Sequence, residues 1–185
     1  AGKDERADAF ALIEALDWLA HEGARIINLS LAGPENALLA EKVAALEAGG
    51  VLLVAAAGNG GPRAAAAYPA AYETVLAVTA VDRRAQVYPR AGRGAHIDLA
   101  APGVDVWTAA SISGARTKTG TSFAAPFVTA AAALLLEAEP TLGPAALRDR
   151  LRASARDLGE TGPDPVFGHG LLSAPAPCAQ PGPDL

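Results

Sequence analysis

Residues 51–61, Val-Leu-Leu-Val-Ala-Ala-Ala-Gly-Asn-Gly-Gly, decide how the chain is to be interpreted. The run from Val51 to Ala56 is apolar at every position, which is typical of a strand buried on both faces of a sheet. A glycine-rich turn follows it directly and carries the polar side chain of Asn59. Because parallel sheets bind ligands at the carboxyl ends of their strands, we expect binding or catalytic residues immediately after Ala56.

Strands and helices alternate on both sides of this stretch. Near-continuous apolar strands separated by helices predict an α/β fold, a parallel β-sheet flanked by helices. The predicted strands are Arg25–Leu31, Val51–Ala56, Val75–Val81, His96–Ala100 and Val104–Thr108, with a turn at Ala101–Gly103. The predicted helices are Asp8–Glu22, Asn36–Glu47, Thr121–Glu137 and Pro144–Ala155. The helix from Thr121 is nearly uncharged, so we expect it to be buried all round.

Composition excludes several classes of protein. A length of 185 residues suits one domain, and a net charge of −5 argues against electrostatic binding of nucleic acid. The single cysteine, Cys178, excludes an internal disulfide framework and a zinc site built from cysteines. No run of about 18 uncharged apolar residues is present, so we expect no helix that spans a membrane.

The two ends of the chain differ from the rest. The sequence begins at Ala1, contains no methionine and shows no signal peptide, so we expect part of a longer protein. Residues 174–185 hold four prolines and lack apolar periodicity, which predicts a loose tail after a domain at 1–173.

The segment Gly120-Thr-Ser-Phe-Ala-Ala-Pro126 places a serine at the start of an apolar helix. The first-turn N–H groups of a helix lack internal partners, and the helix dipole favours negative charge there. Ser122 can therefore be a nucleophile whose own N–H helps to hold an oxyanion. The plain alternative is that Thr121 or Ser122 only caps the helix.

Two strand ends carry further polar signals. Asn59 can donate a hydrogen bond to an oxyanion, although a loop asparagine in a left-handed turn is the plain alternative. A phosphate-binding loop is disfavoured because Gly58–Gly61 lacks a Lys-Ser/Thr pair and no helix follows it. The segment Asn28–Pro34 runs past the sheet into Gly-Pro and offers an edge for an extended peptide, or is a simple strand end.

In this order, the segments ending at Gly33, at Asn59 and at Pro126 resemble the subtilisin-like serine proteases. Tyr68-Pro69, Ala101-Pro102-Gly103 and Gly168-His169-Gly170-Leu171 match minor markers of that family. The resemblance covers residues 8–174 and implies a C-terminal part of a subtilisin-like three-layer catalytic domain, incomplete at its N-terminal side.

The resemblance implies a role for each matched position. Ser122 corresponds to the nucleophile and Asn59 to the side-chain donor of the oxyanion hole. The implied contacts to a peptide or protein substrate are Ser30, Leu31, Ala32, Gly33, Ala56, Ala57, Gly58, Ala67 and Thr121. Alanine at positions 32 and 67, where relatives commonly have glycine, implies a preference for small or medium uncharged side chains.

The departures from the family matter equally. The catalytic Asp and His segments are missing, and none of His21, His96 and His169 lies in a matching context. An N-terminal partner segment would have to supply them, so we expect the chain alone to be inactive. A non-catalytic binding or scaffold module of the same fold is the alternative. Relatives imply a secreted or extracytoplasmic parent.

Relatives often bind calcium, but the sequence has no acidic cluster with the spacing of calcium ligands. We therefore expect no required cofactor. Carbonyls near Ala70, Tyr72 and Val75 match a weak cation site of some relatives.

Overall fold

The computed structural model describes residues 8–109 and 114–173. The predicted tail at 174–185, with Cys178, lies outside the described residues. The helices are α1 (Ala9–His21), α2 (Ala37–Ala48), α3 (Thr121–Ala138) and α4 (Pro144–Ala153). The strands are β1 (Ile26–Leu29), β2 (Leu52–Ala56), β3 (Val75–Val81), β4 (Ile97–Pro102), β5 (Val106–Ala109) and β6 (Ala115–Lys118).

The central sheet confirms the predicted α/β architecture. Strands β1 to β4 are parallel and follow one another in the order β1-β2-β3-β4. Helices α1 and α2 cover one face, where Leu16 and Val43 are buried, and α3 and α4 cover the other, where Val128 and Leu151 are buried. Every residue of β2 and β3 is buried, because apolar clusters lie on both faces.

Three strand predictions differ from the structure. Strand β1 ends at Leu29, so the Ser30–Leu31 peptide leaves the sheet, and β4 continues through Pro102 where we expected a turn. Strand β6 was not expected, because Arg116 and Lys118 make it polar. It pairs antiparallel with β5 in a separate two-stranded sheet. Strand β5 is thus not part of the parallel sheet.

The expectation that α3 is buried all round is wrong. Its inner face, including Ala124 and Val128, is fully buried against the sheet, but Phe127 on the other face is 42% exposed. Among the described residues, α3 is also the one helix long and apolar enough to cross a membrane, with a mean hydropathy of 1.5. A core helix passes the same test, and α3 packs on β1, β2, β3 and β4.

Candidate active site

Two glycines bring the start of α3 down onto the carboxyl end of the sheet. The Gly120 N–H donates to the Gly103 carbonyl at 2.8 Å, and the Gly103 N–H donates to the Val81 carbonyl at 3.0 Å. A Cβ atom at Gly103 would lie 2.5 Å from the Cβ of Ala80. Only glycine permits this approach, which sets the position of the first turn of α3 above the sheet.

Ser122 is tied to the end of β1 by two reciprocal hydrogen bonds. Its Oγ donates to the Ser30 carbonyl at 3.2 Å, and the Ser30 Oγ donates to the Ser122 carbonyl at 2.9 Å. That carbonyl has lost its helical partner, because Pro126 lies four residues later and has no N–H. The Ser30 hydroxyl therefore replaces a missing bond of α3 and holds Ser122 at the strand end.

Two further polar side chains support Ser30, and sequence analysis missed them. Asn28 Nδ2 donates to Ser30 Oγ at 2.9 Å, and Thr129 Oγ1 lies 3.2 Å from Asn28 Oδ1 and 3.0 Å from the Ala125 carbonyl. Asn28 precedes Ser30 by two positions, so alternation along an extended strand was the available signal for a shared face. Nothing in the sequence indicates that Thr129 joins them.

The side chain of Asn59 is oriented by Thr121. Asn59 Oδ1 accepts from the Thr121 N–H at 3.0 Å and from Thr121 Oγ1 at 3.2 Å. Thr121 Oγ1 in turn accepts from the buried Gly58 N–H at 3.1 Å. With its oxygen engaged, Asn59 presents Nδ2, which makes no hydrogen bond to a described residue.

Gly120 is required beside this amide. A Cβ atom there would lie 3.2 Å from Asn59 Nδ2, and the residue has a φ of +154°. Gly120 is the N-cap of α3, and because glycine has no side chain it cannot cap the first turn of the helix. The Ser122 N–H accordingly has no hydrogen-bond partner among the described residues. Asn59 Nδ2 and the Ser122 N–H are thus two donors without a described partner at the start of α3, where Asn59 is held against Thr121, the neighbour of Ser122. Such a pair can hold an anionic oxygen.

A small cavity of about 310 Å³ lies beside these donors. Its lining includes Ala32, Gly33, Ala57, Gly58 and Ala67. A Cβ atom at Gly58 would lie 3.1 Å from the Ala67 Cβ and 3.8 Å from the Ala32 Cβ, so these two methyl groups face the glycine.

Ala56, which we expected in the wall of this cavity, is buried in β2 and is not part of the lining. The cavity begins one residue later in the chain. Because Gly58 has a φ of +89°, the chain turns sharply there and presents its backbone to the cavity.

The edge available to an extended peptide is shorter than we expected. Gly33 already uses both backbone groups, since its N–H donates to the Tyr68 carbonyl at 2.8 Å and its carbonyl accepts from the Tyr68 N–H at 2.9 Å. Ala32 makes no backbone hydrogen bond among the described residues, and Leu31 is 37% exposed. The edge therefore comprises Ser30 to Ala32, with the Ser30 carbonyl already accepting from the Ser122 hydroxyl.

The histidines are not partners of the candidate nucleophile. Within residues 8–109 and 114–173, no hydrogen bond joins Ser122 to a histidine. His96 Nε2 is buried without a hydrogen-bond partner in this part of the chain. Burial lowers the pKa of His96, and the charge of Asp98 opposes that effect only in part. Within the described residues, the Ser122 hydroxyl donates to the Ser30 carbonyl and not to a side chain that could take its proton.

Near the expected cation site, the carboxylate of Asp98 is engaged by donors of the protein itself. Asp98 Oδ1 accepts from Arg152 Nε at 3.0 Å and Nη2 at 2.6 Å, while Oδ2 accepts from the Ala77 N–H at 2.7 Å. The Tyr72 carbonyl accepts from the Val75 N–H at 3.0 Å. Calcium needs six to eight oxygen ligands, and the described residues contain no group of three His, Cys, Asp or Glu side chains that could hold a metal. Arg152 thus supplies the positive charge beside Asp98, and the cation site at the carbonyls of Ala70, Tyr72 and Val75 stays a prediction.

The chain is similar in sequence to known proteins. The sequence pattern of the Subtilase family matches residues 2–170. Subtilisin DY from Bacillus licheniformis is 36% identical over 170 residues, which are 90% of this chain and 61% of that protein. The Minor extracellular protease Epr of Bacillus subtilis is 34% identical and is covered over 26% of its length. The chain therefore spans about three fifths of subtilisin DY.

Solved structures agree with the sequence comparison. The prenylagaramide maturation protease PagA superposes with a TM-score of 0.83 at 29% identity, over 94% of this chain and 68% of that protein. A psychrophilic protease called S41 gives the same TM-score at 28% identity. Both the sequence and the fold show that the chain belongs to the subtilase family.

Proposed function

We propose that the chain forms the nucleophile-bearing part of a serine endopeptidase. The observation that carries the proposal is the pair of free donors, Asn59 Nδ2 and the Ser122 N–H, at the start of α3, where Ser122 also carries its hydroxyl. Nothing else among the described residues competes for those donors. The family membership supports hydrolysis of peptide bonds through an acyl-enzyme.

The reaction would run in two steps. Ser122 Oγ attacks the carbonyl carbon of the peptide and transfers its proton to a base, while the carbonyl oxygen becomes an oxyanion held by the two donors. Collapse of the tetrahedral intermediate expels the amine, which takes up the proton from the base. Water then attacks the acyl-enzyme by the same route and releases the carboxylic acid.

The base and its orienting acid would come from a segment outside residues 1–185, in keeping with the missing Asp and His motifs. Strand β1 has β2 on one side only and is an edge of the described sheet. We propose that the partner segment pairs along this edge, next to Ser30 and Ser122. The isolated chain should then be inactive, because a serine hydroxyl without a base has ordinary reactivity.

The substrate would be an extended peptide paired with Ser30 to Ala32. Its side chain before the cleaved bond would enter the 310 Å³ cavity, where Ala32 and Ala67 favour small or medium uncharged groups. Because one relative is named an extracellular protease, we place the parent protein outside the cytoplasm.

The experiment compares the chain alone with a longer parent chain that carries an Asp-Thr-Gly and a His-Gly-Thr segment. A peptide ester and a fluorophosphonate label measure turnover and Ser122 reactivity. We expect turnover only in the parent chain, abolished by Ser122→Ala. Asn59→Leu should lower turnover about 10²–10³-fold, the magnitude established for the corresponding donor of a subtilisin.

A folded parent chain with neither turnover nor labelling would instead support the non-catalytic binding module. Turnover by the isolated chain that Ser122→Ala abolishes would refute the need for a partner segment.

A further inference from the structure

A second concave surface lies apart from the candidate active site. It is a groove of about 780 Å³ between the loop after β3, the start of β5 and the outer face of α3. The groove shares no lining residue with the cavity beside Asn59. Its apolar lining includes Val81, Val104 and Leu171. A volume of this size suits a bound side chain or a short peptide segment.

Two aromatic side chains stand exposed at this groove. Trp107 is 73% exposed and Phe127 is 42% exposed, and both line it. Exposed apolar patches of this kind mark interaction sites, and tryptophan is the commonest anchor of protein interfaces. The proposed protease reaction uses neither residue.

Three arginines, Arg83, Arg84 and Arg156, also line the groove. None of them forms an ion pair with a described residue, whereas Arg148 and Arg150 pair with carboxylates of their own surroundings. These unpaired cations belong to a chain with a net charge of −5. Three arginines against the two carboxylates of the lining, Asp82 and Asp105, give the groove a formal net charge of +1 on an acidic protein.

Two carboxylates line the groove as well, but each is engaged by its own loop. Asp82 Oδ1 accepts from the backbone N–H groups of Arg84 and Gln86, both at 2.8 Å. Asp105 Oδ1 lies 3.5 Å from the hydroxyl of Thr119, which also accepts from the Asp105 N–H at 2.9 Å. Both carboxylates keep their negative charge but are held by their own loops, whereas the side chains of the three arginines make no hydrogen bond to a described residue.

The walls of the groove hold strained backbone. Ala85 and Asp105, with φ of 59° and 53°, are the non-glycine residues with positive φ in the described part of the chain, and both line the groove. Such conformations cost of order 1–3 kcal/mol and cluster at ligand-binding segments. Ala85 lies in the tight turn closed by the hydrogen bond from the Asp82 N–H to the Gln86 carbonyl, so Ala85 and Asp105 mark where the walls of the groove turn.

We propose that this groove binds an acidic peptide segment of a partner protein. An apolar side chain of the segment contacts Trp107 and Phe127, and flanking carboxylates pair with Arg83, Arg84 and Arg156. A polyanion such as nucleic acid is disfavoured because the net charge of −5 repels it outside the groove. Binding requires no reaction at Ser122, so the proposal goes beyond the protease function.

The test uses the intrinsic fluorescence of Trp107. The chain contains two tryptophans, and Trp18 lies exposed on α1, so Trp18→Phe leaves Trp107 as the sole reporter. The probe is a six-residue peptide with a central Leu-Leu pair flanked on each side by two glutamates. We expect a saturable change in emission that weakens as salt is raised.

Matched peptides and variants complete the design. Versions with glutamine or lysine in place of glutamate should bind more weakly, and Arg83→Ala with Arg84→Ala should weaken binding by about fivefold or more. The control is Arg90→Ala with Arg93→Ala, which removes two exposed arginines of the next loop that do not line the groove. Because Trp107→Leu removes the fluorescent reporter, binding of the peptide to this variant is measured by calorimetry. We expect Trp107→Leu to lose binding.

Equal binding of the lysine peptide, or equal losses in the two arginine pairs, would overturn the proposal. Binding of an oligothymidylate in preference to the acidic peptide would assign the groove to nucleic acid instead.

Discussion

The same substitution at two fully buried threonines should lower the stability of the chain at one position and not at the other. Thr121 and Thr79 both have no exposed surface. Thr121 Oγ1 accepts from the Gly58 N–H at 3.1 Å and lies 3.2 Å from Asn59 Oδ1. Thr79 Oγ1 has no hydrogen-bond partner among the described residues. Valine keeps the shape of threonine and removes only the hydroxyl, so the pair isolates the contribution of hydrogen bonding.

The change in unfolding free energy depends on whether each substitution leaves a buried hydrogen-bonding group without a partner. Thr121→Val strands the buried Gly58 N–H, and an unsatisfied buried donor costs about 1–3 kcal/mol. For a chain of this size, that loss lowers Tm by roughly 2–4 °C per kcal/mol, or about 4–8 °C for the middle of the range. Thr79→Val removes a hydroxyl that is already unsatisfied, so the free energy of unfolding should stay the same or rise by about 1 kcal/mol.

Urea unfolding followed by circular dichroism measures both variants on the isolated chain. Equal shifts of the urea midpoint, or a larger loss for Thr79→Val, would refute the reasoning. In an active parent chain, Thr121→Val should also lower turnover, because Asn59 loses one of the two contacts that orient its amide. Thr79→Val, which lies in β3, serves as the control for that second readout.

Three other predictions concern the cation site, pH and specificity. Calcium or EDTA should leave Tm of the chain unchanged, and a calcium-dependent Tm in the unmodified chain would contradict this prediction. Arg152→Met should lower Tm because it breaks the ion pair with buried Asp98, at a cost of about 3–5 kcal/mol of unfolding free energy. Burial lowers the pKa of His96 below 6.5, so the unfolded chain binds that proton more readily. The contribution of neutral His96 to the free energy of unfolding should be complete above pH 6.5 and decrease as the pH falls below 6.5. In His96→Gln, the urea midpoint should therefore change less between pH 7.5 and 5.5 than it does in the unmodified chain. In an active parent chain, Ala67→Gly should relax the preference for small side chains by roughly 10–200-fold in a peptide-library profile, and a dominant preference for charged residues would contradict the assignment.

The sequence by itself determined the parallel sheet. The runs at 51–56 and 75–81 are short, apolar at nearly every position and bounded by turn residues, a pattern typical of strands buried on both faces of a sheet. It also predicted where polar groups should meet, because the carboxyl ends of parallel strands lie along one edge. The structure accordingly brings Ser30, Asn59 and Ser122 to that edge.

Only the tertiary structure decided which groups at that edge are free. The backbone hydrogen bonds between Gly33 and Tyr68 use groups that we expected to be available to a substrate peptide. The two hydrogen bonds from Thr121 occupy Oδ1 of Asn59 and leave its Nδ2 without a described partner. Likewise, Arg152 of α4 reaches Asp98 of β4 and forms an ion pair with its carboxylate. These outcomes depend on hydrogen-bond partners far away in the chain, and local residue patterns carry no signal for them. Burial periodicity is a property of neighbours along one element, whereas the satisfaction of a polar group depends on which elements the fold brings beside it.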